Sequence, residues 1–79
     1  MTVELLLFAS YREQVGQRRL ELSLPEGTRV RDLAARLEAE HAGLSLRGAL
    51  CALNEHYVAP DAALSAGDRV AFFPPVSGG

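Results

Sequence analysis

The chain has 79 residues, enough for one small domain and no second. A formal net charge of −2, with eight arginines and no lysine, argues against nucleic acid as the main partner; it also leaves no Schiff-base or phosphate-loop lysine. The single cysteine allows no intramolecular disulfide and no multi-cysteine metal site, and it points to a reducing compartment.

A domain of this size buries only about 60–65% of its unfolded surface. The 48% hydrophobic share compensates. The opening Met1-Thr2-Val3-Glu4 lacks a basic leader, and no apolar run approaches the roughly 20 residues of a membrane span. A soluble cytoplasmic protein with no membrane partner is expected.

In chain order, residues 2–9 read as a strand. Val3, Leu5 and Leu7 share one face, and Glu4, Leu6 and Phe8 share the other. Ser10 and Glu13 have the spacing of a capping box, which predicts a short helix over 11–15 stopped by Gly16. From Arg18 to Leu24, Leu20, Leu22 and Leu24 alternate with polar residues, the pattern of a half-buried strand. Pro25-Glu26-Gly27 ends it, and Thr28 is placed to cap a helix over about 29–42. That helix has one apolar stripe, Val30, Leu33, Ala34, Leu37 and His41. Residues 44–49 fit a loop or a single turn. Leu50–Asn54 and Tyr57–Ala59 read as a hairpin around Asn54-Glu55-His56. Residues 62–66 are a connection with room for one helical turn, and Arg69–Phe73 is the last strand.

This order implies an α+β domain with a mixed sheet and one main helix on one face. Its element order and size resemble the β-grasp, or ubiquitin-like, fold. That resemblance implies that the first and last strands run parallel at the sheet centre. The expected division is a β-grasp domain over 1–73 and an extended tail over 74–79. In the last strand Val70 and Phe72 share one face, and Arg69, Ala71 and Phe73 the other. The outer face then carries Glu4 and Arg69 at one end and Phe8 and Phe73 at the other, and if the strands are parallel Phe8 emerges near Phe73. Such aromatics are either a docking surface or a small second core under loops.

No nucleophile–base pair stands out. Cys51 lies among Leu50, Ala52 and Leu53 and reads as a buried small hydrophobe. His41 reads as a helix-end residue and His56 as a turn residue. Unaided catalysis and ATP binding are not expected. The candidate reactive group is the tail, Pro74-Pro75-Val76-Ser77-Gly78-Gly79, about 20 Å long if extended. A terminal Gly-Gly can be simple fraying. It also suits insertion into a narrow partner site, because no Cβ blocks a close approach. The two prolines stiffen the stalk.

Phe8-Ala9, Arg12-Glu13, Leu24-Pro25-Glu26-Gly27, Leu53-Asn54, Gly67-Asp68 and the ending Val70-Ala71-Phe72-Phe73-Pro74-Pro75-Val76-Ser77-Gly78-Gly79 resemble the small subunit of molybdopterin synthase, the MoaD family. The likeness spans the whole chain. It implies that a ubiquitin-activating-like adenylyltransferase uses ATP to adenylate Gly79. A desulfurase- or rhodanese-type donor would then convert that adenylate to a thiocarboxylate. The tail, Pro74 to Gly78 included, would enter the large synthase subunit and give sulfur to cyclic pyranopterin monophosphate. The chain itself would bind no cofactor and no metal. By the same resemblance Phe8, Tyr57 and Phe73 match partner-interface positions. The rival readings are a carrier for tRNA thiolation or thiamine synthesis, a protein modifier joined through Gly79, and a β-grasp binding module with an irrelevant tail.

Overall fold

Alternation along Thr2–Leu7 forms strand β1, in which Val3, Leu5 and Leu7 are buried while Glu4 and Leu6 stay partly exposed. The computed structural model describes residues 1–75; Val76–Gly79 lie outside the described residues. Helix α1 (Ala9–Val15) follows, then β2 (Arg19–Ser23), α2 (Val30–Glu40), β3 (Leu50–Leu53), β4 (His56–Val58) and β5 (Arg69–Phe73). The strands form one sheet in the order β2-β1-β5-β3-β4. β1 and β5 are parallel and central, and the other neighbours are antiparallel. This is the mixed sheet of the β-grasp fold, with α2 laid across one face.

The core lies between α2 and that face. Val30, Leu33 and Leu37 of the helix meet Val3, Leu5, Leu7, Val70 and Phe72 of the two central strands. Arg36 fastens the helix to the sheet edge, its guanidinium donating to the Ser23 carbonyl at 2.9 Å.

Several local expectations are corrected. Ser10 does not cap α1. The helix starts two residues earlier, at Ala9, with Phe8 as N-cap and no side-chain cap bond. Tyr11 is buried, and sinking that ring into the core sets where the helix begins. The chain turns through Ala9 with φ 53°, a left-handed value. The expected stop at Gly16 is present, with φ 87° and its N–H on the Arg12 carbonyl. Thr28 does not cap α2 either, because its hydroxyl donates to the Pro25 carbonyl within the preceding turn (2.7 Å). The N-cap is Arg29, whose backbone N–H donates to the Asp32 carboxylate at 2.9 Å. The helix ends at Glu40. His41 is its half-buried C-cap with extended backbone, so it does not continue the apolar stripe.

The hairpin uses a two-residue turn. Asn54 and Glu55 both have positive φ (50° and 73°), which matches the twist of the flanking strands, and His56 already belongs to β4. Residues 62–66 form no helical turn. Ala63 bridges to Arg29, and the Leu64 N–H donates to the Thr28 carbonyl, so this stretch runs extended beside the start of α2. Leu64 is thereby buried, and Leu44 and Leu46 in the loop before β3 also enter the core.

Candidate docking face and tail root

The sheet face away from α2 is built in three rows, and the registers of the strands set them. At one end Glu21, Glu4 and Arg69 lie side by side on β2, β1 and β5. The middle row is Arg19, Leu6, Ala71, Ala52 and Tyr57, crossing all five strands. Phe73 and Leu50 pair in the third row. Phe8 joins it because its extended backbone (φ −126°, ψ 155°) carries the alternation of β1 one residue further.

The expected meeting of Phe8 and Phe73 is realised as a stacked pair, with ring centroids 4.6 Å apart and planes 11° from parallel. Tyr57 reaches the same cluster edge-on, its centroid 6.4 Å from Phe73 at 64°. Phe8 and Phe73 are half-buried by this contact. Tyr57 is 73% exposed and Leu50 41%. No loop covers either side chain, so the described residues leave an apolar platform open to solvent. The position of Leu50 on this face was not read from the sequence. Its signal is the pairing register with Phe73, which one sequence alone does not reveal.

The charged row is pre-paired. Arg69 Nε donates to Glu4 Oε1 at 2.6 Å, and Arg19 Nε lies 2.9 Å from Glu4 Oε2. One carboxylate thus serves two guanidiniums, one oxygen each, which offsets its alignment with Glu21 across the strands. Arg19 was not anticipated in this group. Beside it Asn54 donates to the Asp68 carboxylate at 2.9 Å and accepts from the Arg69 N–H at 3.0 Å, tying the hairpin turn to the start of β5.

The tail leaves from the aromatic end. Pro74 is half-buried and Pro75 exposed. Pro75 lies over Gly48, where an added Cβ would sit 3.7 Å from the proline Cγ. That distance is ordinary contact; it is the left-handed backbone of Gly48, φ 75°, that favours a residue without a side chain in the loop under the stalk. Val76, Ser77, Gly78 and Gly79, the inserted segment and reactive end of the sequence reading, lie outside the described residues.

The other candidate groups are apart from this face. Cys51 is buried, and burial pushes its thiol up to about 11, so the thiol is neutral at physiological pH. Tyr11 is also held above its ordinary pKa, first by burial and then by the nearby Glu38 carboxylate. Among the described residues no cluster of three or more His, Cys, Asp or Glu is placed to hold a metal ion. No helix among them is long and apolar enough to cross a membrane.

The sequence that builds this face and its Pro-Pro-x-x-Gly-Gly tail matches a known family model. The model, described as the ThiS family, aligns with residues 5–79. The chain belongs to the ThiS family. Within its wider circle the chain is 39% identical to the molybdopterin synthase sulfur carrier subunit of Chlamydomonas reinhardtii, with all of both chains covered. It is 35% identical to small archaeal modifier protein 3 of Haloferax volcanii, again over the whole of both. Among solved structures it is similar to the complex of subunits 1 and 2 of the molybdopterin-converting factor from Helicobacter pylori (TM-score 0.69, 26% identity, all of both chains covered). It is thus a ubiquitin-like small protein of the MoaD and ThiS type.

Proposed function

We propose that this chain is the sulfur-carrier subunit of a molybdopterin synthase and that Gly79 carries the sulfur. The observation that carries the reading is the open cluster of Phe8, Tyr57 and Phe73 at the base of the Pro74-Pro75 stalk. A partner seated on that cluster receives the stalk at its own active site. The full-length likeness to a synthase sulfur carrier supports the choice of pathway.

The chemistry follows from the weakness of a carboxylate as an electrophile. An oxygen of the Gly79 carboxylate attacks the α-phosphorus of ATP on an activating adenylyltransferase, and pyrophosphate leaves. The outer sulfur of a persulfide on a desulfurase- or rhodanese-type donor then attacks the acyl-adenylate carbon, and AMP leaves as the C–S bond forms. A second thiol reduces the resulting acyl disulfide, which frees the thiocarboxylate and leaves the donor sulfur in a disulfide with that thiol. On the large synthase subunit the thiocarboxylate sulfur attacks an oxygen-bearing side-chain carbon of the pyranopterin precursor, and the C–O bond there breaks as oxygen leaves. Water hydrolyses the resulting thioester, leaving sulfur on the pterin and returning the Gly79 carboxylate. Two such transfers build a dithiolene. The chain's own part is to dock and to present the tail. Pro74 and Pro75 restrict the stalk, and Gly78 and Gly79 let the partner's site close around the backbone. On this reading the chain works in the cytoplasm.

A protein-modifier role is the second reading, favoured by the full-length likeness to small archaeal modifier protein 3. One experiment separates the two. Thiocarboxylated protein is mixed with the large subunit and cyclic pyranopterin monophosphate, and the dithiolene product is assayed. Product formation supports the carrier. Its absence, with lysine-linked conjugates of other proteins in the native host, favours the modifier.

A further inference from the structure

A groove of about 570 Å³ opens on the opposite side of the β3–β4 edge, between that edge and α2. Its floor is apolar, formed by the buried Cys51 and Phe72. Ala34 of α2 and Val58 of β4 line its walls. Arg31 and Arg47 also line it, and both are exposed. Among the described residues the ion pairs use Arg19, Arg36 and Arg69, so neither groove arginine has a carboxylate partner there. The acid lining the groove, Glu38, has one oxygen engaged by the Leu46 N–H at 2.7 Å.

Two further features point to the occupant. Among the described residues β4 is the edge strand of the sheet and pairs only with β3, so one side of its short backbone is open there to an extended segment. Leu50 and Tyr57 line the groove as well as the outer platform, and Gly48 beneath Pro75 lines it too. Platform, tail root and groove are therefore one continuous surface that wraps around the hairpin edge.

We propose that the groove receives an extended segment of alternating acidic and apolar residues, an arm of the same partner protein that sits on the aromatic platform. This rests on the docking reading above. The apolar side chains of the arm lie over Val58 and Ala34, and its carboxylates meet Arg31 and Arg47. Charge complementarity at this rim then helps select the partner, while the platform supplies the buried contact.

The test uses the full chain, isotope-labelled for NMR, and the acetylated, amidated hexapeptide Asp-Val-Asp-Leu-Asp-Val. Binding is expected to shift the amides of Arg31, Ala34, Arg47 and Val58. The double variant Arg31→Glu/Arg47→Glu should weaken it about tenfold. An acid at position 31 sits well in the first turn of a helix, so the variant should fold. Equal binding of a peptide with lysine in place of aspartate overturns the proposal. So do shifts confined to Phe8 and Phe73, or binding that appears only after residues 76–79 are removed, which would assign the groove to the chain's own tail. Phe73→Ala should leave the peptide titration unchanged while weakening the whole partner, so failure of the groove and failure of the platform are read separately.

Discussion

Removing the Phe73 ring discriminates between a docking surface and a small second core. In the free protein Phe73 touches Phe8 at 4.6 Å and Tyr57 at 6.4 Å between centroids. Aromatic pairs contribute about 0.5–1.5 kcal/mol beyond area burial, so Phe73→Ala should cost roughly 1–2 kcal/mol of folding stability. Most of Phe73 is already covered in the free protein, so a partner gains only the remaining surface. Full burial of a Phe is worth about 1.5–3 kcal/mol; the exposed remainder, with loss of the ordered cluster, gives roughly 2 kcal/mol, or about thirtyfold in Kd. Urea unfolding measures the first quantity. Calorimetric titration with the large synthase subunit measures the second, at a temperature where the variant is fully folded. A stability loss with Kd unchanged within about twofold would refute the docking assignment and leave Phe73 as a structural residue.

The same geometry has other consequences. Glu4→Gln removes the charge shared by Arg19 and Arg69. Because both arginines are more than half exposed, the cost should be only about 1 kcal/mol, and it should shrink in high salt, as paired urea titrations would show. Cys51 has an ordinary value of 9.0 raised to about 11 by burial, so the folded state holds its proton more tightly than the unfolded chain. Its contribution to stability is complete below about pH 9 and is lost as pH rises toward 11, with the unfolded state ionising first. Unfolding curves of wild type and Cys51→Ala between pH 8 and 11 should therefore converge in their pH slope only below about pH 9. Thiol reagents should label Cys51 at neutral pH only after denaturant is added.

Much of the site was legible because β alternation is local. Glu4 and Phe8 on one side of β1, and Arg69 and Phe73 on one side of β5, follow from a period of two, whatever the rest of the fold does. With the strands parallel and Glu4 in register with Arg69, the ion pair at one end and the stacked rings at the other follow. The helix starts were misplaced because tertiary contacts decide them. Tyr11 must enter the core, and the Thr28 hydroxyl is already engaged by Pro25. Leu44, Leu46 and Leu64 are buried from loops, where no periodicity marks an apolar residue as core. Leu50, Arg19 and the groove depend on register between strands distant in sequence, and a single sequence carries no record of that.

The central claim is that Gly79 is the loaded group, and mass determination on the C-terminal peptide tests it directly. Protein isolated with its activating enzyme and sulfur donor should show one oxygen of the terminal carboxylate replaced by sulfur. The chain lacking Gly79 should stay unmodified while keeping the same fold by circular dichroism. Sulfur loading of the truncated chain, or an intact chain that stays a plain carboxylate when ATP, enzyme and donor are all present, would contradict the account.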